Sequence, residues 1–154
     1  MFVDTANLET GLKSLPLFDR LIACCGDRTA YVVGGAVRDA LTGQTVQDVD
    51  LIFPDDPTAL AKSFAGAHGG HWFWLDEERM QSRVVFDRDR RCPVFDFAPF
   101  RAVSLDQDLF DRDFTINAIA LSLSADFTTT ALIDPVCGLA DLQQGVLRMV
   151  SRDA

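Results

Sequence analysis

Val32-Val33-Gly34-Gly35-Ala36-Val37-Arg38-Asp39, followed by Asp48-Val49-Asp50-Leu51-Ile52-Phe53, is the stretch that decides the fold. An apolar run (Ala30 to Val33) that enters two glycines predicts a buried strand and a tight turn. Ala36 to Leu41 then reads as a helix that stops at Gly43, and Val46 to Phe53 as a second strand. Side chains alternate across a strand, so Val49, Leu51 and Phe53 share one face and Asp48 and Asp50 the other. The two carboxylates therefore stand roughly 6.6–7 Å apart along the chain, above a buried face. Like charges held this close repel, and partial burial adds to the cost. A divalent cation relieves both, and an all-oxygen site of this kind suits Mg²⁺, which keeps waters and phosphates as its other ligands. Taken alone, the same pair also suits a solvated strand face.

The double glycine lets the backbone approach a ligand closely, and the helix start behind it presents free N–H groups to an anion. Arg38, in the first turn, adds a charged fork. A tight turn with no ligand is the competing reading. Gly34 to Asp39 fits neither the G-x-G-x-x-G dinucleotide fingerprint nor the G-K-[ST] phosphate loop.

Working outward, Leu8 to Cys25 predicts one or two amphipathic helices broken at Pro16, and Thr58 to Ala67 a helix capped by Thr58 or Asp56. Three strands follow, at His71–Leu75, Arg83–Phe86 and Pro93–Ala98; Pro93 and Pro99 predict a sheet edge for the last of them. On it, Asp96 points away from Phe95 and Phe97, either as the third carboxylate of a two-metal site or as a charge that guards an edge. Asp106 to Leu109 predicts a helical turn and Asp113 to Ala120 a stronger helix, capped by Asp113. Arg112 there suits a triphosphate, and Asn117, a turn later, a ribose or phosphate oxygen. A short strand at Ala131–Ile133 and a short helix at Leu139–Gln144 complete an α+β chain: a small, mixed or mostly antiparallel sheet with helices packed on one side.

The 154 residues predict a single domain, and 48% hydrophobic with 24% charged residues excludes disorder and coiled coil. A formal charge of −9 argues against binding nucleic acid over a broad surface. The bases are clustered, however: six Arg fall between Arg79 and Arg101 with three Asp among them, a local positive window in an acidic body. Cys24, Cys25, Cys92 and Cys137 show no zinc spacing, and with no signal peptide they predict reduced thiols and a cytoplasmic protein. No run of about eighteen apolar residues predicts a membrane span.

Together, Gly34 to Asp39, Asp48-Val49-Asp50 and Arg112-Asp113-Phe114-Thr115-Ile116-Asn117-Ala118 resemble the head domain of the class II tRNA nucleotidyltransferase and bacterial poly(A) polymerase family. Phe95 to Arg101, Ser104 to Leu109, Ile133-Asp134-Pro135, Gly138 and Asp141-Leu142 extend the likeness from about Tyr31 to Val150. The resemblance implies a DNA polymerase β-like nucleotidyltransferase head. It implies Asp48, Asp50 and Asp96 as catalytic ligands of two Mg²⁺ ions. Gly34, Gly35, Arg38, Arg112, Asp113 and Asn117 would bind the nucleotide, with ATP and CTP as substrates and a tRNA or other RNA 3′ end as acceptor. It leaves open CCA, CC-only or A-only addition, a poly(A) polymerase head, and a nucleotide-binding module without catalysis. Asp111 departs from the Arg usual in the family. The family's base-selecting segment and RNA-gripping domains are expected beyond Ala154. The chain is thus expected to be a fragment, 1–154, that alone binds NTP and Mg²⁺ weakly and adds nucleotides poorly.

Overall fold

The computed structural model describes residues 3–87, 90–124 and 132–151. The first two helices are α1 (Thr5–Lys13) and α2 (Phe18–Cys25), followed by β1 (Tyr31–Val33), α3 (Gly35–Leu41), β2 (Asp48–Phe53) and α4 (Thr58–His68). Strands β3 (His71–Asp76), β4 (Gln81–Val85) and β5 (Val94–Pro99) precede α5 (Leu105–Phe110). A 3-10 turn (Thr115–Asn117), β6 (Ala120–Ser122), β7 (Leu132–Ile133) and α6 (Gly138–Gln144) follow. Ala131, placed at the start of the last strand by its sequence, lies outside the described residues.

The strands form one seven-stranded sheet in the order β3-β4-β5-β2-β1-β6-β7. Among the described residues, only the β2–β5 pair is parallel. The sheet is therefore mixed and mostly antiparallel, as the alternating sequence pattern predicts. The sequence also explains the entries to several elements. The Asp4 carboxylate accepts from Ala6 N at the start of α1. The Asp56 carboxylate accepts from both the backbone N and the hydroxyl of Thr58, which makes Asp56 the side chain that tethers the start of α4.

Helices α1 to α4 bury one face of the sheet. Leu8, Leu12, Phe18, Leu21, Val37, Leu41, Leu60 and Phe64 pack with Val32, Val49, Leu51, Phe53, Phe95 and Phe97 in one core. Phe64 meets Phe86 and Phe95 edge-on, with ring centroids 5.4 and 5.2 Å away, an arrangement that aromatic quadrupoles favour. The opposite face is covered only in part, by a smaller cluster in which Leu109 of α5 joins Val33, Ile52, Ala118 and Ala120. The rest of that face is open, and the acids stand on it.

Two expectations are overturned. Strand β5 is interior, between β4 and β2, and not at an edge. Its prolines bracket the ladder without interrupting it: Pro93 precedes the strand and Pro99 is its last residue. The charge on Asp96 is therefore not an edge guard. Residues 113–120 do not form a helix; a 3-10 turn leads into β6. Asp113 accepts from the adjacent Phe114 N and caps no helix.

Tertiary contacts fix that turn. Thr115 donates its hydroxyl to Asp141 at 2.7 Å, its N–H bonds Arg148 O at 2.9 Å, and Phe114 bridges to Met149. Gly138 is pressed against it so closely that a Cβ there would overlap Thr115 O. A Gly138→Ala variant is expected to lose about 2–3 kcal/mol from this overpacking, read as a lowered urea midpoint with an unchanged slope.

Candidate active site

Backbone register places the three acids together. On β2, Asp48 and Asp50 lie two residues apart on the open face, and in the parallel pairing Asp50 stands directly opposite Asp96 of β5. On its other flank Asp50 pairs with Val33, the last residue of β1 before the glycine turn. Asp50 is thus the centre of the group. Its carboxyl is pushed up to about 6 by burial first, then by the neighbouring Asp96 and Asp48 charges, while Arg112 pulls the other way.

Asp96 has a partner that sequence reasoning missed. Arg83, opposite it on β4, donates Nε to Oδ1 at 2.8 Å and Nη2 to Oδ2 at 3.0 Å. This bidentate fork balances one of the three negative charges. The only sequence signal for it is an Arg on an alternating strand, which cannot name its cross-strand partner without the register.

The predicted nucleotide-binding residues gather on the β1 side of the acids. Gly34 has φ +73° and ψ −137°, a conformation that L side chains rarely adopt. A Cβ on it would lie 3.8 Å from both Arg112 Nη1 and Asp50 Oδ2. Arg38 donates Nη1 to Asn117 Oδ1 at 2.8 Å and Nε to Asp39 at 2.9 Å. Asn117 therefore holds Arg38 in place. A cleft of about 390 Å³ is lined by Gly34, Gly35, Arg38, Arg112, Asp113 and Asn117 together with Asp50, Arg101 and Asp111. The structure thus brings together all six residues predicted to bind nucleotide. Asp111, where the family usually has Arg, ends α5 and accepts from Gln107 Nε2.

Arg112 is itself held by a residue not singled out from sequence. Asp108 of α5 is fully buried, and its Oδ1 accepts from Arg112 Nε at 3.1 Å and Nη2 at 3.0 Å. Its Oδ2 accepts from Arg101 N at 2.7 Å. One buried carboxylate thus fixes both an arginine side chain and the backbone just after β5. A polar residue on the inner face of a short helix is the signal that was available.

Two further clefts meet the first at Asp50. One, of about 240 Å³, runs past Asp96 to Gln81 and Arg101. The other, of about 370 Å³, passes Asp48 to Gln44 and Gln47. Among the described residues, no group of three or more His, Cys, Asp or Glu side chains is placed to hold a metal ion. Mg²⁺ does not need one, since it retains waters and takes phosphate oxygens beside one or two carboxylates. Asp48 and Asp50, two carboxylates on one open strand face, fit that demand.

Among the described residues, no helix is long and apolar enough to cross a membrane. Cys24, Cys25 and Cys137 are free thiols, and the Cys92 thiol donates to Pro16 O.

The comparisons with known proteins agree on the family. The chain is 40% identical over 141 residues to the CC-adding tRNA nucleotidyltransferase of Geobacter sulfurreducens, covering 91% of this chain and 31% of that protein. It is 45% identical over 124 residues to the A-adding tRNA nucleotidyltransferase of Deinococcus radiodurans, covering 80% and 26%. Among solved structures, a CCA-adding enzyme of Thermotoga maritima complexed with tRNA superposes with a TM-score of 0.75 at 26% identity, over 98% of this chain and 37% of that one. A tRNA-processing enzyme in an apo form gives 0.72 at 35% identity, over 86% and 35%. This chain therefore spans about a third of the length of these relatives. The Poly A polymerase head domain family matches residues 30–104 and 97–148, a span that carries the glycine turn, all three acids and the arginine cleft, and the chain belongs to that family.

Proposed function

We propose that this chain is the catalytic head of a template-independent RNA 3′-end nucleotidyltransferase that adds C or A residues to tRNA and releases pyrophosphate. The observation that carries the reading is the register of Asp48, Asp50 and Asp96 beside an arginine-lined cleft. The relatives support the substrate: they are named as CC-adding and A-adding tRNA nucleotidyltransferases, and similar enzymes have been solved with CTP and with a primer tRNA and an ATP analogue. Among the acceptors, tRNA is preferred to a poly(A) tail on these names. In this reading the protein works in the cytoplasm, with tRNA as its partner.

In this reading, the triphosphate lies in the cleft of Gly34, Gly35, Arg38, Arg112 and Asn117. Arg38 and Arg112 neutralise its charge, and their carboxylate and amide partners hold both guanidiniums in place before it arrives. Gly34, lacking a Cβ, leaves room for phosphate beside Asp50. Asp48 and Asp50, with Asp96 beside them, would hold Mg²⁺ together with phosphate oxygens and water. When bound, Mg²⁺ supplies Lewis-acid chemistry: it neutralises triphosphate charge and eases deprotonation of the attacking hydroxyl. Attack of the RNA 3′-hydroxyl on the α-phosphorus forms the new phosphodiester, and pyrophosphate leaves. Positioning and charge neutralisation supply most of the catalysis in such transfers.

The test is extension of a tRNA that lacks its 3′-terminal nucleotides by the intact protein with labelled CTP or ATP and Mg²⁺. Wild type is expected to extend it, whereas Asp48→Ala is expected to fall by on the order of 10³-fold or more with its thermal transition retained. Transfer by Asp48→Ala at near the wild-type rate would overturn the assignment. Residues 1–154 alone are expected to transfer poorly, because the relatives are about three times as long.

A further inference from the structure

Arg83 differs from the other paired arginines of the site. Arg38 and Arg112 are held by Asp39 and Asp108, acids outside the group of three. Arg83 is held by a member of that group. Its fork takes both oxygens of Asp96, at 2.8 and 3.0 Å, from the β4 side. Register fixes the order across the open face: Asp50, Asp96, Arg83 and then Phe73 of β3, each opposite the next. The arginine thus stands on the far side of Asp96 from Asp50, with an aromatic residue at the position behind it. Among the described residues, neither Asp48 nor Asp50 is in an ion pair.

The three acids are therefore unequal as ligands. A guanidinium stays charged at every working pH, and here it already takes one lone pair from each Asp96 oxygen. The side chains reflect this. The acids share a face and a register, yet among the described residues no three of them are placed together around an ion. A Mg²⁺ ion ligated by Asp96 would lie about 2.1 Å from its oxygen, and so within about 5 Å of an Arg83 nitrogen. Two cations that close repel. Solvent screens them only in part, the Asp96 and Arg83 side chains being 22% and 34% exposed.

Asp48 and Asp50 carry no such handicap, so an ion between them is the stronger of the two. We propose that Arg83 is a positioning residue that parks the third carboxylate: without substrate the protein holds one divalent ion firmly, at Asp48 and Asp50, and the ion that uses Asp96 only weakly. In the reaction, the phosphate oxygens of the bound triphosphate offset the guanidinium charge. The site is then completed around its substrate, and does not stand loaded with two ions beforehand.

This inference rests on the nucleotidyltransferase reading, and its readout is metal binding, not transfer. Mn²⁺ is the probe, titrated into the intact protein without nucleotide and followed by the EPR signal of the free ion. Wild type is expected to bind one Mn²⁺ firmly and a second roughly tenfold or more weakly. Arg83→Gln, which removes the charge, should tighten the second ion roughly tenfold and leave the first within about twofold. Arg83→Lys keeps the charge and should keep the second ion weak. Asp96→Asn should retain the first ion and lose the second. Two ions of equal affinity in wild type would overturn the inference. So would a second ion unchanged or weakened in Arg83→Gln, because Arg83 would then only brace the sheet or present Asp96 to the ion. Should Arg83→Gln fail to fold, the other two variants decide: a second ion tightened by Arg83→Lys, or retained by Asp96→Asn, overturns it as well. None of these results touches the enzyme reading, provided wild type still transfers nucleotide. Absence of any Mn²⁺ binding by wild type would instead sink the metal assignment of Asp48 and Asp50, and the role of Arg83 with it.

Discussion

Asn in place of Asp50 is expected to abolish nucleotide transfer and, in the same molecule, to stabilise the metal-free fold at neutral pH. The second effect follows from the carboxyl pushed up to about 6 from an ordinary value of 3.8. A group with a raised folded-state pKa favours the fold while it is protonated. That advantage is full below pH 3.8 and is lost as pH rises through 6. At pH 8 the ionised Asp50 therefore works against the fold, by about 2 kcal/mol once its partial exposure is allowed for. Asparagine carries no charge to desolvate. In EDTA, Asp50→Asn should melt above wild type at pH 8, and the gap should close towards pH 4. Adding Mg²⁺ should raise the wild-type midpoint at pH 8, but have little effect at pH 5 or on the variant. Transfer should drop on the order of 10³-fold or more. A variant less stable than wild type at pH 8 would contradict the charge-cluster account, and one that still transfers would contradict the catalytic assignment.

The same alternation that makes Asp50 costly makes it legible. Val49, Leu51 and Phe53 are apolar because they enter the core, and they are fully or almost fully buried. The acids between them had to face outward, so the pairing of Asp48 with Asp50 could be read from local sequence. Asp96 followed by the same parity between Phe95 and Phe97. Its adjacency to Asp50 could not, because that depends on a parallel register between segments more than forty residues apart. The Arg83 fork was hidden for the same reason.

The misreadings are also local. Proline was weighed as an edge marker when it stood at the two ends of an interior strand, where no ladder N–H is missed. In residues 113–120 a dense apolar run was given the helical period. The structure shows period two instead: Ile119 and Leu121 enter the large core, while Ala118 and Ala120 enter the small one. A short apolar run does not by itself distinguish the two periods. The contacts that decide it come from Gly138, Asp141 and Arg148, later in the chain.

Removal of Asp108 should be the most damaging single change away from the acids. It is completely buried, and Arg112 beside it is only 11% exposed in its side chain. Asp108→Ala would leave a nearly buried guanidinium and the Arg101 N–H without their acceptor, a loss of about 3–5 kcal/mol for a broken buried pair. A denaturant titration measures it, and a loss below about 1 kcal/mol would show that the pair does not brace the fold. Asp108→Asn separates stability from function. It keeps an acceptor oxygen but no charge, so it should cost less stability while loosening Arg112 beside Gly34 and Asp50. The expected outcome is a KM for CTP and ATP raised roughly tenfold, with a smaller change for tRNA. Asp106→Asn, on the exposed side of the same short helix, should change neither stability nor KM. If Asp106→Asn and Asp108→Asn behave alike, Asp108 is not what aims Arg112. If only Asp108→Asn weakens nucleotide binding, the triphosphate cleft depends on a carboxylate that the nucleotide never touches.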